Sequence, residues 1–186
     1  MCCETPKPKK VYPKPSLTAD IVAVKRAPNP ALLMIKRGKD PYKDCWALPG
    51  GFFEPDETIE QCARRELLEE TAISADKLIP LGCYSTPNRD PRGWVVSCAF
   101  LTFFDADASA TAGDDAADAL WFDVCFDKTE DGNFRLTLSG NGQVLSAVLA
   151  PNFANHRFDL ISSDGIAFDH AEMIAAAMHL ICEKTL

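Results

Sequence analysis

Residues 51–73, GFFEPDETIEQCARRELLEETAI, restrict the chemistry of this chain more than any other stretch. Thr58 followed three residues later by Gln61 has the form of a capping box, so a helix is predicted to start there. Ile59, Ala63 and Leu67 fall at i, i+4 and i+8 and make one apolar stripe. Glu66, Glu69 and Glu70 fall at i, i+3 and i+4 on another face, where their carboxylates crowd together. Like charges at that spacing weaken an isolated helix by roughly 0.2–0.5 kcal/mol per pair. A hard divalent cation would turn the repulsion into ligation, because such ions take carboxylate oxygens. Arg65 and Glu57 are placed to orient the cluster through charge-assisted hydrogen bonds. The plain alternative is a solvated acidic face.

Two glycines, Gly50 and Gly51, precede this helix, and a backbone without Cβ can approach a ligand closely. Strands are expected over residues 20–24 and 32–35, with a turn at 27–30 and Arg37 just beyond. Further strands are expected over 78–86, 94–104, 120–124, 134–138, 144–149 and 158–161. The Ser139-Gly-Asn-Gly142 run is a hairpin signal. A last helix should open at an Asp169/Glu172 capping pair and bury Ile174, Ala177, Met178 and Ile181. Trp46 reads as core. His156 and His170 read as structural hydrogen-bonding residues. Strands mixed with helices suggest a layered α/β sandwich. Residues 1–16, rich in Lys and Pro, read as a flexible leader to a single domain over 17–186.

The net charge of −8 argues against nucleic acid as a bulk electrostatic partner, but not against a small phosphorylated substrate. None of the eight cysteines forms a CxxC pair, so buried free thiols are expected rather than zinc. Cys2-Cys3 beside the basic tail is an acylation candidate, with a plain disordered tail as the simpler reading. Neither a signal peptide nor an apolar run of about 20 residues is present, so no membrane partner and a reducing, cytoplasmic setting are expected.

Gly51, Glu57, Arg65-Glu66-Leu67, Glu69-Glu70 and Ile73 together resemble the Nudix box; Ala72 stands where that family has glycine. The resemblance implies an α/β/α sandwich with a mixed sheet, and hydrolysis of a diphosphate linked to another moiety. It implies Mg²⁺ or Mn²⁺ held by Glu66 and Glu70. Glu69 would ligate directly or through water, the Gly50 carbonyl would complete the shell, and Arg65 would orient the acids. Glu69, Glu70 and Arg65 are the catalytic candidates. The general base is left open among Glu69, Asp105, Asp107, Asp114 and Asp115.

Three further segments resemble the ADP-ribose pyrophosphatase branch, including its relatives fused to transcriptional regulators: residues 85–93, 113–122 and 168–172. The branch implies AMP and ribose 5-phosphate as products, and Pro87 or Pro91 on the adenosine side. Gly51, Arg37, Arg89 and Arg92 are the substrate-binding candidates, because guanidinium forks suit phosphate oxygens. The alternative for Arg89 and Arg92 is that they tie the loop to acidic neighbours. Residues 127–165 match nothing in the branch and read as a β-hairpin insertion, a candidate dimer surface or substrate lid. Hydrolysis of another nucleoside diphosphate derivative, or sensing of ADP-ribose without cleavage, are the competing functions. A homodimer is compatible with all of them.

Overall fold

The computed structural model describes residues 12–26, 29–113, 116–155 and 157–184. Its elements are β1 (Ser16–Lys25), β2 (Ala31–Arg37), β3 (Trp46–Ala47), β4 (Gly50–Phe52), α1 (Ile59–Thr71), β5 (Ile79–Tyr84), β6 (Val95–Phe104), β7 (Ala116–Lys128), β8 (Phe134–Gly140), β9 (Gln143–Asn152), β10 (Arg157–Asp164) and α2 (His170–Lys184). One mixed sheet runs in the order β10-β9-β8-β7-β2-β1-β6-β5, with β3 on β2 and β4 on β1. The β1–β6 pair is parallel and the other pairings between named strands are antiparallel.

Alternation along β1 creates the layers. Ala19, Ile21 and Ala23 point to one face, where they meet Cys62, Ala63 and Leu67 of α1. Val22 and Val24 point to the other, where Ile174, Ala177 and Met178 of α2 complete the larger core. The two apolar stripes expected from helical spacing are therefore the surfaces that sandwich the sheet. Complete burial of a side chain such as Leu67 stabilises the fold by about 1.5–3 kcal/mol. Trp46 is fully buried edge-on to Phe122, with ring centroids 4.8 Å apart.

Several expectations are corrected. The strand expected over 120–124 is thirteen residues long. Its first half pairs with β2 and its second half, from Asp123 on, with β8, so one strand serves two partners. The acids Asp118, Asp123 and Asp127 interrupt its apolar pattern and hide that length. Residues 127–165 contain the expected hairpin, closed by Asn141 and Gly142 at φ 48° and 73°. With β10 added, this region continues the same sheet, and Leu136, Leu138, Leu149 and Phe158 join the α2-side core. At α2 the expected capping pair is not made by side chains. The Glu172 amide donates to the Asp169 carbonyl, while the Asp169 carboxylate binds Arg89 and that of Glu172 accepts the Leu160 amide.

The six cysteines among the described residues are free thiols, but of these only Cys62 is buried. Cys83 and Cys125 alternate with inward-facing Tyr84 and Phe126 and so turn outward. No helix among the described residues is long and apolar enough to cross a membrane. Most of the expected leader, part of the 27–30 turn, His156, Asp114 and Asp115 lie outside the described residues.

Candidate active site

The loop before α1 and the helix itself are built as one unit. Thr58 caps the helix reciprocally with Gln61: the Gln61 amide donates to Thr58 Oγ1 at 3.3 Å, and the Thr58 amide to Gln61 Oε1 at 2.7 Å. At the other end Ala72 takes the left-handed conformation, φ 59° and ψ 18°, and its amide donates to the Leu68 carbonyl. The helix thus ends as the family glycine would end it, with alanine bearing the strain. Two of the remaining free carbonyls are taken by the following loop, since the amides of Thr111 and Gly113 donate to Thr71 and Glu70. A Cβ on Gly113 would sit 1.7 Å from the Glu69 carbonyl oxygen, so only glycine permits this docking.

Arg65 organises the acids. Its guanidinium donates twice to Glu57, at 3.0 and 2.7 Å, and through Nη1 to Glu66 at 2.7 Å and Glu69 at 3.2 Å. These bonds hold the Glu57 carboxyl down to about 2 and push the Arg65 guanidinium further up. Glu70 turns away from Arg65 and accepts the Gly50 amide at 2.9 Å. Burial, then the charges of Glu66 and Asp20, push Glu70 up to about 8, against the pull of the Gly50 amide. Burial also raises Glu66. A Cβ on Gly51 would lie 2.3–2.4 Å from the Glu66 carboxylate atoms, so this glycine leaves the room that Glu66 occupies.

Across from α1 lies a narrow recess. Asp20, Arg37, Gly50, Gly51, Phe52, Arg89, Arg92, Phe168 and His170 line it. Asp20 is buried at its floor, accepts the Ser97 hydroxyl and is raised by burial. His170 Nδ1 accepts the Leu48 amide at 2.9 Å, so the proton of the neutral ring sits on Nε2, which faces Asp20 Oδ1 at 3.7 Å. Burial holds His170 down at about 4. Phe168 has φ 54°, and its ring lies beneath the guanidinium groups of Arg37 (4.9 Å) and Arg92 (5.4 Å). Arg92 also covers Phe52 at 4.8 Å. A larger cavity, about 360 Å³, opens among Pro80, Phe134, Phe158 and His179 at the far end of α2 and contains no residue of the acidic helix.

Residues 14–125 match the sequence profile of the NUDIX domain, which is more than half of the chain. The chain belongs to the Nudix family. An ADP-ribose pyrophosphatase of Methanocaldococcus jannaschii is 41% identical over 115 residues, covering 62% of this chain and 66% of that protein. The ADPR responsive transcriptional repressor NtrR of Acinetobacter baylyi is 38% identical over 101 residues, 52% of this chain and 40% of its own length. The match therefore spans a little under two thirds of the first relative and less than half of the second. A MutT/nudix family protein from Enterococcus faecalis has a similar structure, with a TM-score of 0.78 and 32% identity over 95% of this chain and 66% of its own. The mixed sheet between two helices is thus a Nudix α/β/α sandwich.

The Nudix box residues are brought together unequally. Gly50 and Gly51 line the recess, and Glu70 and Glu66 contact those two glycines. The side chain of Glu69 is 59% exposed and bound to Arg65 outside the recess. Among the described residues no three His, Cys, Asp or Glu side chains are gathered to hold one ion as they stand. The donor set nevertheless fits a hard cation. Hard carboxylate oxygens adjoin two backbones without Cβ, and Glu70, raised by burial and then by the charges of Glu66 and Asp20, would be held ionised by a cation.

Arg37, Arg89 and Arg92, the proposed phosphate contacts, all line the recess; Arg37 donates to the Pro41 carbonyl at 2.8 Å, while Arg89 and Arg92 carry acidic partners. Arg89 grips Asp169 at 2.7 and 2.5 Å with its side chain only 4% exposed, and Arg92 grips Asp90 at 3.0 and 2.6 Å. The tie to acidic neighbours describes both. Asp105 and Asp107 are exposed, as are Pro87 and Pro91, and none of the four lines the recess. Sequence reasoning passed over Asp20, Phe168, Asp169 and Ser97 as site residues. For Asp20 a signal existed, an acid inside the apolar run Ala19-Asp20-Ile21-Val22. The others are visible only through contacts more than 70 residues apart in sequence, such as Ser97 to Asp20 and Arg89 to Asp169.

Proposed function

We propose that this Nudix protein hydrolyses the diphosphate of ADP-ribose to AMP and ribose 5-phosphate, with Mg²⁺ or Mn²⁺ as cofactor. The supporting observation is a recess lined by guanidinium groups stacked on Phe168 and Phe52 and by Gly50 and Gly51, the two glycines that Glu70 and Glu66 contact. The 41% identity to a protein named ADP-ribose pyrophosphatase favours that substrate. Glu66 and Glu70 would hold the cation, with Glu69 and the Gly50 carbonyl as further donors. So bound, it supplies Lewis-acid polarisation and a more acidic water.

The chain's own groups do the rest. Arg37 and Arg92 meet the phosphate oxygens, and Arg92 can turn one edge of its fork to substrate while keeping Asp90. Arg65 orients the carboxylates of Glu66 and Glu69. One phosphorus gains a bond to water oxygen, its bond to the bridging oxygen breaks, and the released phosphate carries that electron pair away. The water proton passes to a carboxylate. That carboxylate would be Glu69, released from Arg65 and turned toward the recess, or one of the loop acids Asp105 and Asp107.

Incubation with ADP-ribose and Mg²⁺ should release AMP, and Glu70→Gln should cut turnover by at least about 100-fold, since loss of mere outer-shell partners of a metal costs 10–100-fold. A folded Glu70→Gln variant with undiminished turnover refutes the assignment. A second reading, ligand sensing, draws on the relative described as an ADPR responsive repressor. Tight ADP-ribose binding by calorimetry with no AMP in the wild type would favour it. Faster turnover of a nucleotide sugar or dinucleotide in a kcat/KM ranking would move the substrate elsewhere within the family.

A further inference from the structure

We infer that His170 is a positioning residue for the carboxylate side of the cleft, setting the loop that carries Gly50 and through it Glu70. Residues 46–52 thread between α2 and β1, and their polar groups are fastened one after another. The Trp46 amide donates to the Gly165 carbonyl, and the Ala167 amide to the Trp46 carbonyl. The Leu48 amide, two residues on, donates to His170 Nδ1 at 2.9 Å in a buried bond. The Pro49 carbonyl accepts the Ile21 amide at 2.9 Å. The Gly50 amide then donates to Glu70 at 2.9 Å.

Of these fastenings, the one nearest Gly50 on the α2 side is a side chain, not backbone. A ring can hold Leu48 only with Nδ1 unprotonated and Nε2 facing Asp20, whose other oxygen takes the Ser97 hydroxyl. His170, with Nε2 3.7 Å from the Ser97-bonded Asp20, therefore orders an amide two residues from the amide that binds Glu70. If this bond is lost, a buried N–H is left without its acceptor and the loop shifts to find another. Glu70 follows, because Gly50 has no room to rearrange alone. Its missing Cβ position lies 2.3 Å from the Ala19 carbonyl oxygen.

This inference rests on Glu70 being a metal ligand, and its test separates the two. Asparagine presents its side-chain carbonyl near the place of Nδ1, whereas glutamine reaches the place of Nε2 and leucine offers no acceptor. Amide hydrogen exchange on metal-free protein should be at least 10-fold faster at Leu48 and Gly50 in His170→Leu than in wild type, beyond any change in α2. In His170→Asn it should stay near wild type. Calorimetry should show Mn²⁺ binding weakened about 10–100-fold in His170→Leu and largely restored in His170→Asn, the scale expected for outer-shell partners. Should His170→Leu fail to fold, His170→Gln against His170→Asn carries the same comparison. Equal exchange at Gly50 in the Asn variant and in the variant without an acceptor at Nδ1 overturns the inference. Absence of Mn²⁺ binding in the wild type would instead overturn the metal reading, and the exchange data would still decide the role of His170.

Discussion

Replacing Glu70 by glutamine should make the metal-free protein relatively more stable as pH rises, even as it cuts the proposed turnover. Glu70 is raised from 4.5 to about 8, chiefly by burial. Between those values the folded protein keeps a proton that the unfolded chain has released. For an acid raised in this way, the stabilisation is complete below the unfolded value and is lost as pH climbs through the folded one. At about 1.4 kcal/mol for each pH unit, the ceiling is about 5 kcal/mol. Glu70 keeps some solvent contact and shares its repulsion with Glu66 and Asp20, so about 2 kcal/mol is the expected loss. Glutamine cannot ionise, and its carbonyl can still accept the Gly50 amide. Urea unfolding in chelator at intervals from about pH 5 to about pH 9 should show Glu70→Gln gaining on wild type by that amount. Excess Mg²⁺ should then raise the wild-type curve and leave the variant's unmoved. Parallel curves in chelator would refute the argument that burial, rather than the Gly50 amide, governs this carboxyl.

Other expectations follow from the same geometry. Ala72→Gly relieves a left-handed residue that costs an L side chain roughly 1–2 kcal/mol, offset in part by the greater freedom of unfolded glycine. A net gain of about 0.5–1 kcal/mol, or about 1–4 °C in Tm, should appear on thermal unfolding; a loss would contradict it. Asp169→Ala strands the buried Arg89 guanidinium without its bidentate partner, at a cost of about 3–5 kcal/mol in urea unfolding. Asp169→Asn keeps one acceptor and should cost clearly less, with a raised KM for ADP-ribose as the functional sign. A change under about 1 kcal/mol in Asp169→Ala would show that Arg89 finds another partner.

The acidic helix was legible in the residues alone because everything that defines it is local. The Thr58/Gln61 cap, the Ile59-Ala63-Leu67 stripe and the Arg65 contacts to Glu57, Glu66 and Glu69 all close within about two turns, and each appears as expected. The Asn141-Gly142 hairpin is local in the same sense. Once a contact spans the chain, periodicity carries no record of it. Asp169 and Glu172 have the composition of a cap, yet Arg89 and the Leu160 amide take their side chains, while the amides of His170 and Glu172 are met by the backbone carbonyls of Ala167 and Asp169.

Tertiary packing alone decided which acids face the cleft. Glu69 and Glu70 are neighbours in sequence, but the 100° turn between successive helical positions sends one to solvent and the other against Gly50. Packing also brought Asp20, Phe168 and His170 to the same recess from distant segments, and Ser97 of β6 to Asp20. A chain's local pattern states what each element would prefer to bury; only the assembled sheet and helices settle which polar groups are left to satisfy one another.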